Sequence, residues 1–324
     1  MFQDRTRSAW FNALVAVAAG AASALLFFLA SRGAVAGMVM SYFSPLPLMV
    51  ATFGFGVAVG AAAVLTGGLV AGLLGHPLLG LVAGGALFFP AFLVCVVFLL
   101  APVRPQGGDT RVSRALLVSV LFAAGMSLAA VTALVVAHGG YAAAHNAVTN
   151  ATVPLLRSAL QGSRLPPGLA PDDVARVLIG IAPALLAAST LFMLVANAYL
   201  AARAALISGQ LEHPWPAVAD SLALPAVCAI LFAVACGLVF VGGLPGMLAS
   251  IVATALGAGF ALQGLAVAHV LTRGLGARAA LLALLYAILF LLPPWPLFVL
   301  ALVGFADAAF HLRRRRAGAA PGKP

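Results

Sequence analysis

The sequence predicts an all-α polytopic membrane protein, a helical bundle of about eight to ten spans with both termini cytoplasmic. Three observations lead there. The 324 residues are 64% hydrophobic and only 7% charged, against roughly 25% charged residues in a soluble domain. Apolar runs recur from Trp10 onward, and many reach the roughly 20 residues needed to cross a bilayer. The arginines gather between those runs, and Arg313, Arg314, Arg315 and Arg316 form a block directly after the last one. The net charge of +10 is dispersed over the loops. It therefore reads as a topology signal, and nucleic acid is not expected as a partner; the lipid bilayer is.

Arginine and lysine in short loops stay cytoplasmic, so Arg5 and Arg7 place the N-terminus inside. The first apolar run, Ser8 to Ser31, is too long for a signal-peptide core and reads as a retained helix. The basic loop with Arg104, Arg111 and Arg114 returns to the same side. Three short crossings fit between them: Leu46 to Val59, Ala62 to Leu74 and Leu78 to Ala101. The first follows a stretch broken by Pro45 and Pro47, read as an extended lead-in that ends in a short helix. Proline has no N–H and ends a helix ladder, so the carbonyls of Tyr42 to Ser44 are left without intrahelical partners. Such groups persist in a membrane only against protein or water, so the break is expected to line a cavity or its gate.

Arg114 to Ala137 then crosses outward. Residues 138–173 form one long polar, periplasmic loop, in which Val148, Leu155, Leu156 and Leu160 suggest a short interfacial helix. Val174 to Leu200 returns inward, Ser221 to Val241 and Met247 to Val270 form a hairpin, and Pro293 with Pro294 folds the last run into another. The expected organisation is one transmembrane domain, 1–312, and a basic cytoplasmic tail, 313–324. Sixteen arginines against one lysine, with abundant alanine, suggest a GC-rich bacterial genome, and the predicted location is the bacterial inner membrane.

Catalytic chemistry finds little support. Acid–base work needs two carboxylates able to meet, and Asp307 is the only acid inside a predicted span. The histidines are scattered over both sides, the three cysteines lie in apolar runs, and no nucleophile motif or phosphate loop occurs. No catalytic, metal or cofactor residue is assigned. Polar residues inside spans tend to face the bundle interior. Tyr42, Pro45, Pro47, Asn197, Gln263 and Tyr286 are therefore candidates to line a solute cavity, although each polar side chain could equally bond a neighbouring helix. Gly56 with Gly60 and Gly80 with Gly84 have the GxxxG spacing that lets helices approach closely. That face serves either packing within one subunit or docking of a partner.

The last run carries a further pattern. Asp307 precedes Arg313 to Arg316 by six to nine residues, about 9 to 14 Å along a helix. It therefore lies near the cytoplasmic interface, where it could reach headgroups or an arginine. His311 shares its helical face and is a candidate hydrogen-bond partner.

The segments "YFSPLPLMVATFGFG", "QGLAVAHVLTRGLGARAALLALLY" and "LVGFADAAFHLRRRR" together resemble the YybS-like family of uncharacterised bacterial membrane proteins. The shared pattern is a Pro-Leu-Pro start to the second helix and a late Gly-x-x-Asp running into arginines, here Gly304, Asp307, Arg313 and Arg314. The resemblance spans nearly the whole chain, without a motif in the middle third. Where the family pattern has an acidic or amide residue before the arginines, this chain has His311. The resemblance implies a fold like the substrate-binding S components of energy-coupling-factor transporters. It also implies a binder of a small-molecule solute, with a membrane coupling subunit or self-association as candidate partnerships. The alternative is a ligand-free membrane scaffold that recruits other envelope or cytoplasmic proteins.

Overall fold

The computed structural model describes residues 8–29, 35–102, 110–160, 170–211 and 216–313. Among them all regular structure is helical. Seven helical stretches are long and apolar enough to cross a membrane, and Ala226–Val241, Arg278–Leu291 and Trp295–Phe310 are shorter apolar helices. The chain is a multi-pass membrane protein of all-α class. Arg5, Arg7, Arg104 and Arg314 to Arg316 lie outside the described residues.

The contacts divide the chain into two units, residues 1–119 with 192–223, and residues 120–191 with 224–324. The elements run α1 (Ala9–Leu29), α2 (Val35–Ser41), α3 (Leu46–Phe55), α4 (Val57–Leu74), α5 (Pro77–Val82) and α6 (Phe89–Leu100), then α7 (Arg111–Ala137), α8 (Tyr141–Leu160) and α9 (Pro171–Ile207). They continue through α10 (Val218–Ser221), α11 (Ala226–Leu238), α12 (Gly243–Leu271), α13 (Arg278–Leu291) and α14 (Trp295–Phe310).

Local chemistry sets the ends. Helix α3 starts at Leu46, after Pro45, and stops at Gly56, whose φ of +97° only glycine adopts without strain. The expected run to Val59 is therefore two helices. The expected extended lead-in is helical instead: α2 runs to Ser41, and Tyr42, Phe43, Ser44 and Leu46 each donate to the carbonyl three residues back. The His76 side chain accepts from Leu78 N–H to cap α5, with Pro77 in the first helical position. Between α5 and α6 residues Ala83–Phe88 widen into a π turn just before Pro90. The wider turn accommodates a ring that has no N–H and would crowd the carbonyl four residues back. The helix expected within residues 138–173 is α8, and it is longer than expected, twenty residues from Tyr141 to Leu160.

In the first unit α1 packs on α3 and α4, and α3 on α4 and α6. Leu48, Met49, Phe53, Phe88 and Val94 are buried there. The crossing of α1 on α4 is close: a Cβ on Gly20 would sit 2.8 Å from Gly67 N. In the second unit α12 is the central helix, its apolar window 61% buried against 22–44% for the other candidate spans. It packs on α14 and α11, with Phe232, Phe260 and Phe305 in mutual ring contact at 5.5 to 5.9 Å.

Candidate functional site

In the second unit a polar chain is built around the α12–α14 crossing. A Cβ on Gly304 would collide with the Phe260 carbonyl oxygen, and one on Gly264 with that of Leu300. Glycine at both places lets the two backbones touch. The residues next to that contact, Gln263 and Asp307, are then within hydrogen-bond reach. Gln263 Nε2 donates to Asp307 Oδ2 at 2.8 Å, and Gln263 Oε1 accepts from Leu224 N–H at 2.8 Å. Arg313 donates to Asp307 Oδ2 from Nε at 2.9 Å and from Nη2 at 2.7 Å, and its backbone N–H donates to Oδ1 at 3.1 Å. Asp307 is 5% exposed and Gln263 1%. Every polar atom of this Asp–Gln pair except one amide hydrogen has a partner, so the carboxylate sits in the membrane as a satisfied ion pair.

His311 is not the partner of Asp307 that a continuous helix would make it. Helix α14 ends at Phe310, and His311 takes the left-handed conformation, φ 56°, with its backbone N–H on the Asp307 carbonyl. That reversal brings Arg313 back over the carboxylate. Tyr286, half exposed on α13, places its hydroxyl 3.4 Å from His269 Nε2. Arg314 lies outside the described residues.

In the first unit the break between α2 and α3 meets α9. Asn197 Nδ2 donates to the Tyr42 carbonyl and to the Met193 carbonyl, both at 2.8 Å. Two carbonyl partners fix the amide orientation, because the reverse would set oxygen against oxygen. Asn197 Oδ1 and Ser44 Oγ are buried and meet no hydrogen-bond partner among the described residues. Pro45 and Pro47 supply no N–H, and Leu48 N–H donates to Ser23 Oγ on α1 at 3.3 Å rather than closing a turn on Ser44.

The same unit holds an apolar cavity of about 80 Å³, several times the roughly 10–15 Å³ one water needs. Phe53 of α3, Val94 and Phe98 of α6 and Leu116 of α7 form one wall. Val195, Ala198, Tyr199 and Ala202 form another, one stripe of α9. At 3.6 residues per turn Asn197 lies on roughly the opposite side of that helix. Hence the break and the cavity are separate features, and Tyr42, Pro45, Pro47 and Asn197 do not line it. Gln263 and Tyr286 belong to the second unit and line neither this cavity nor the second one, of about 70 Å³, beside Tyr141 and His145. Arg111, read from sequence only as a topology signal, is 3% exposed, with its guanidinium 5.2 Å from the Phe98 ring centroid.

The glycine pairs have distinct placements. Gly56 makes the turn between α3 and α4, while Gly60 lies against the Thr52 side chain. Gly80 and Gly84 face Gly72 and Gly68 of α4, so α4 and the α5 segment meet glycine to glycine. Among the described residues no group of three or more His, Cys, Asp or Glu is placed to hold a metal ion.

The patterns that sequence reading did not supply are the contacts across long separations: Gln263 with Asp307, Ser23 with Leu48, Asn197 with Tyr42. No family model, no curated protein and no solved structure matches this chain.

Proposed function

We propose that this protein is a transport-type binder of a small apolar or amphipathic solute in the bacterial inner membrane. It acts by binding rather than catalysis, and both its ends are cytoplasmic. The observation that carries this reading is the apolar cavity in the first unit. A void with aromatic and aliphatic walls stays dry and takes apolar groups. The resemblance of the chain ends to the YybS-like family, and through it to transporter S components, favours the same reading and a membrane coupling subunit as partner. A ligand-free scaffold has less behind it, because the Gly80 and Gly84 face is already covered by α4.

Native mass spectrometry of gently purified protein tests the reading. A co-purified apolar molecule is expected, lost in Ala202→Leu, which fills the cavity from a lining position. Its absence, or binding indifferent to Ala202→Leu, would sink the proposal. Reporter fusions after Arg316 and within residues 139–171 test the threading; an active periplasmic reporter at the C-terminus contradicts it.

A further inference from the structure

The second cavity lies wholly within the second unit and is built where α7 turns back into α8. Gly139 and Gly140 take φ of +73° and +150° and reverse the chain after Ala137, a backbone that glycine adopts without strain. Tyr141, Ala144, His145 and Val148 follow at spacings of three and four, so one face of α8 lines the cavity alongside Val131 and Leu134 of α7. Ala144 is buried in the middle of that face, and its single methyl leaves the space open. The wall on α9 is Ile179 and Pro183, one turn apart. Pro183 has no N–H, so the Ile179 carbonyl lacks the donor that a helix supplies four residues on. Of the lining side chains only Tyr141 and His145 are polar, with their rings 6.0 Å apart. Neither makes a hydrogen bond among the described residues, and no Asp, Glu, Lys or Arg lines the space.

We infer that this cavity is a binding site for a neutral amphipathic lipid with a hydroxyl head, and that it takes the head and the adjoining part of the chain. An apolar space with a few placed polar groups is the usual form of such a site. A carboxylate or ammonium head would lose its water there without gaining a counter-charge, which is costly. A hydroxyl both gives and accepts: it donates to the Ile179 carbonyl and accepts from the Tyr141 hydroxyl. An ether or ester only accepts, and leaves that carbonyl unmet. Leu134 lines the cavity and is 43% exposed, so the space reaches an apolar surface through which a chain enters from lipid. Met247 of α12, unbranched and adaptable, completes the wall. No residue lines both cavities, so this site does not rest on the solute reading of the first unit.

Photolabelling of the full chain in lipid nanodiscs with a diazirine-bearing dodecanol, mapped by mass spectrometry, tests it. Saturable labelling within residues 131–148 and 179–183 is expected. 1-Dodecanol should compete about fivefold better than dodecyl methyl ether or dodecanoic acid, the factor that one hydrogen bond commonly supplies. Pro183→Ala returns an N–H to the Ile179 carbonyl and should bring alcohol and ether level. Tyr141→Phe keeps the ring, removes the hydroxyl and should raise the dodecanol concentration for half-labelling about fivefold. Ala202→Leu should leave the labelling unchanged, so that a failed solute reading and a failed lipid site give different results. Labelling spread evenly over exposed apolar positions such as Leu121 and Leu186 overturns the assignment. So does equal competition by the ether or the acid, an alcohol preference that survives Pro183→Ala, or half-labelling unmoved in Tyr141→Phe.

Discussion

The two units each bury a side-chain amide, and they treat it in opposite ways. In the second, Gln263 receives Leu224 N–H on its oxygen and gives a hydrogen to Asp307, whose carboxylate is closed by Arg313. In the first, Asn197 spends its hydrogens on Tyr42 and Met193 and leaves its oxygen open. A polar group deep in an apolar medium is stabilising only when its partners are complete. The closed network thus reads as a lock on α12 and α14, whereas the open one leaves Asn197 Oδ1 and Ser44 Oγ buried without a hydrogen-bond partner among the described residues.

Substitutions in the lock should hurt most. Gly304→Ala places a methyl against the Phe260 carbonyl of the facing helix, where neither backbone can yield without parting the helices. A loss of about 3 kcal/mol, the upper end of overpacking, is expected, seen as little folded protein by size exclusion. Asp307→Leu takes the carboxylate away from the part-buried Arg313 guanidinium and from the buried Gln263 Nε2, and should cost about 3 kcal/mol, the lower end for breaking a buried pair. Asp307→Asn retains one acceptor oxygen and should accumulate nearly normally. A stable Asn variant that loses its cellular phenotype would instead make the charge itself functional and break the comparison.

The open side should respond less. Asn197→Val removes the hydrogen bond to the Tyr42 carbonyl but also removes an orphaned oxygen, so a net loss of about 1 kcal/mol is expected by denaturant titration. A loss as large as that of Asp307→Leu would show that Asn197 is a lock as well. Smallest of all, Arg157→Ala removes an exposed ion pair to Asp172 between α8 and α9. Such pairs contribute little, and Tm by scanning fluorimetry should not move measurably.

The membrane class and the helix breaks were legible because they depend on composition and on single residues. Pro45 marks the start of α3 at Leu46, since proline removes an N–H wherever it stands. Glycine was less informative: Gly56 and Gly60 share a spacing, yet one turns the chain and the other meets Thr52. The spacing of Asp307 from the arginines brought an arginine within reach, but the reversal at His311 that delivers Arg313 is a backbone event without a glycine to announce it. Asn197 and Tyr42, 155 residues apart, meet only because the helices pack, and no local period encodes such a pair. For the same reason the cavity stripe on α9, made of Val195, Ala198, Tyr199 and Ala202, looks like any lipid-facing or core stripe until its neighbours are in place.

Helix α9 has a mechanical consequence of its own. Its 37 residues make a rod of about 55 Å, while the hydrocarbon of a bilayer is only about 30 Å thick. Even the stretch without charges, between Arg176 and Arg203, comes to about 40 Å by the same rise. The surplus must be taken up by leaning the rod, by bending it at Pro183 where an N–H is missing, or by thickening the lipid around it. Thicker bilayers relieve that mismatch and thin ones sharpen it. The acyl-chain length of the host membrane is therefore a physical control on this protein, set by the length of one helix.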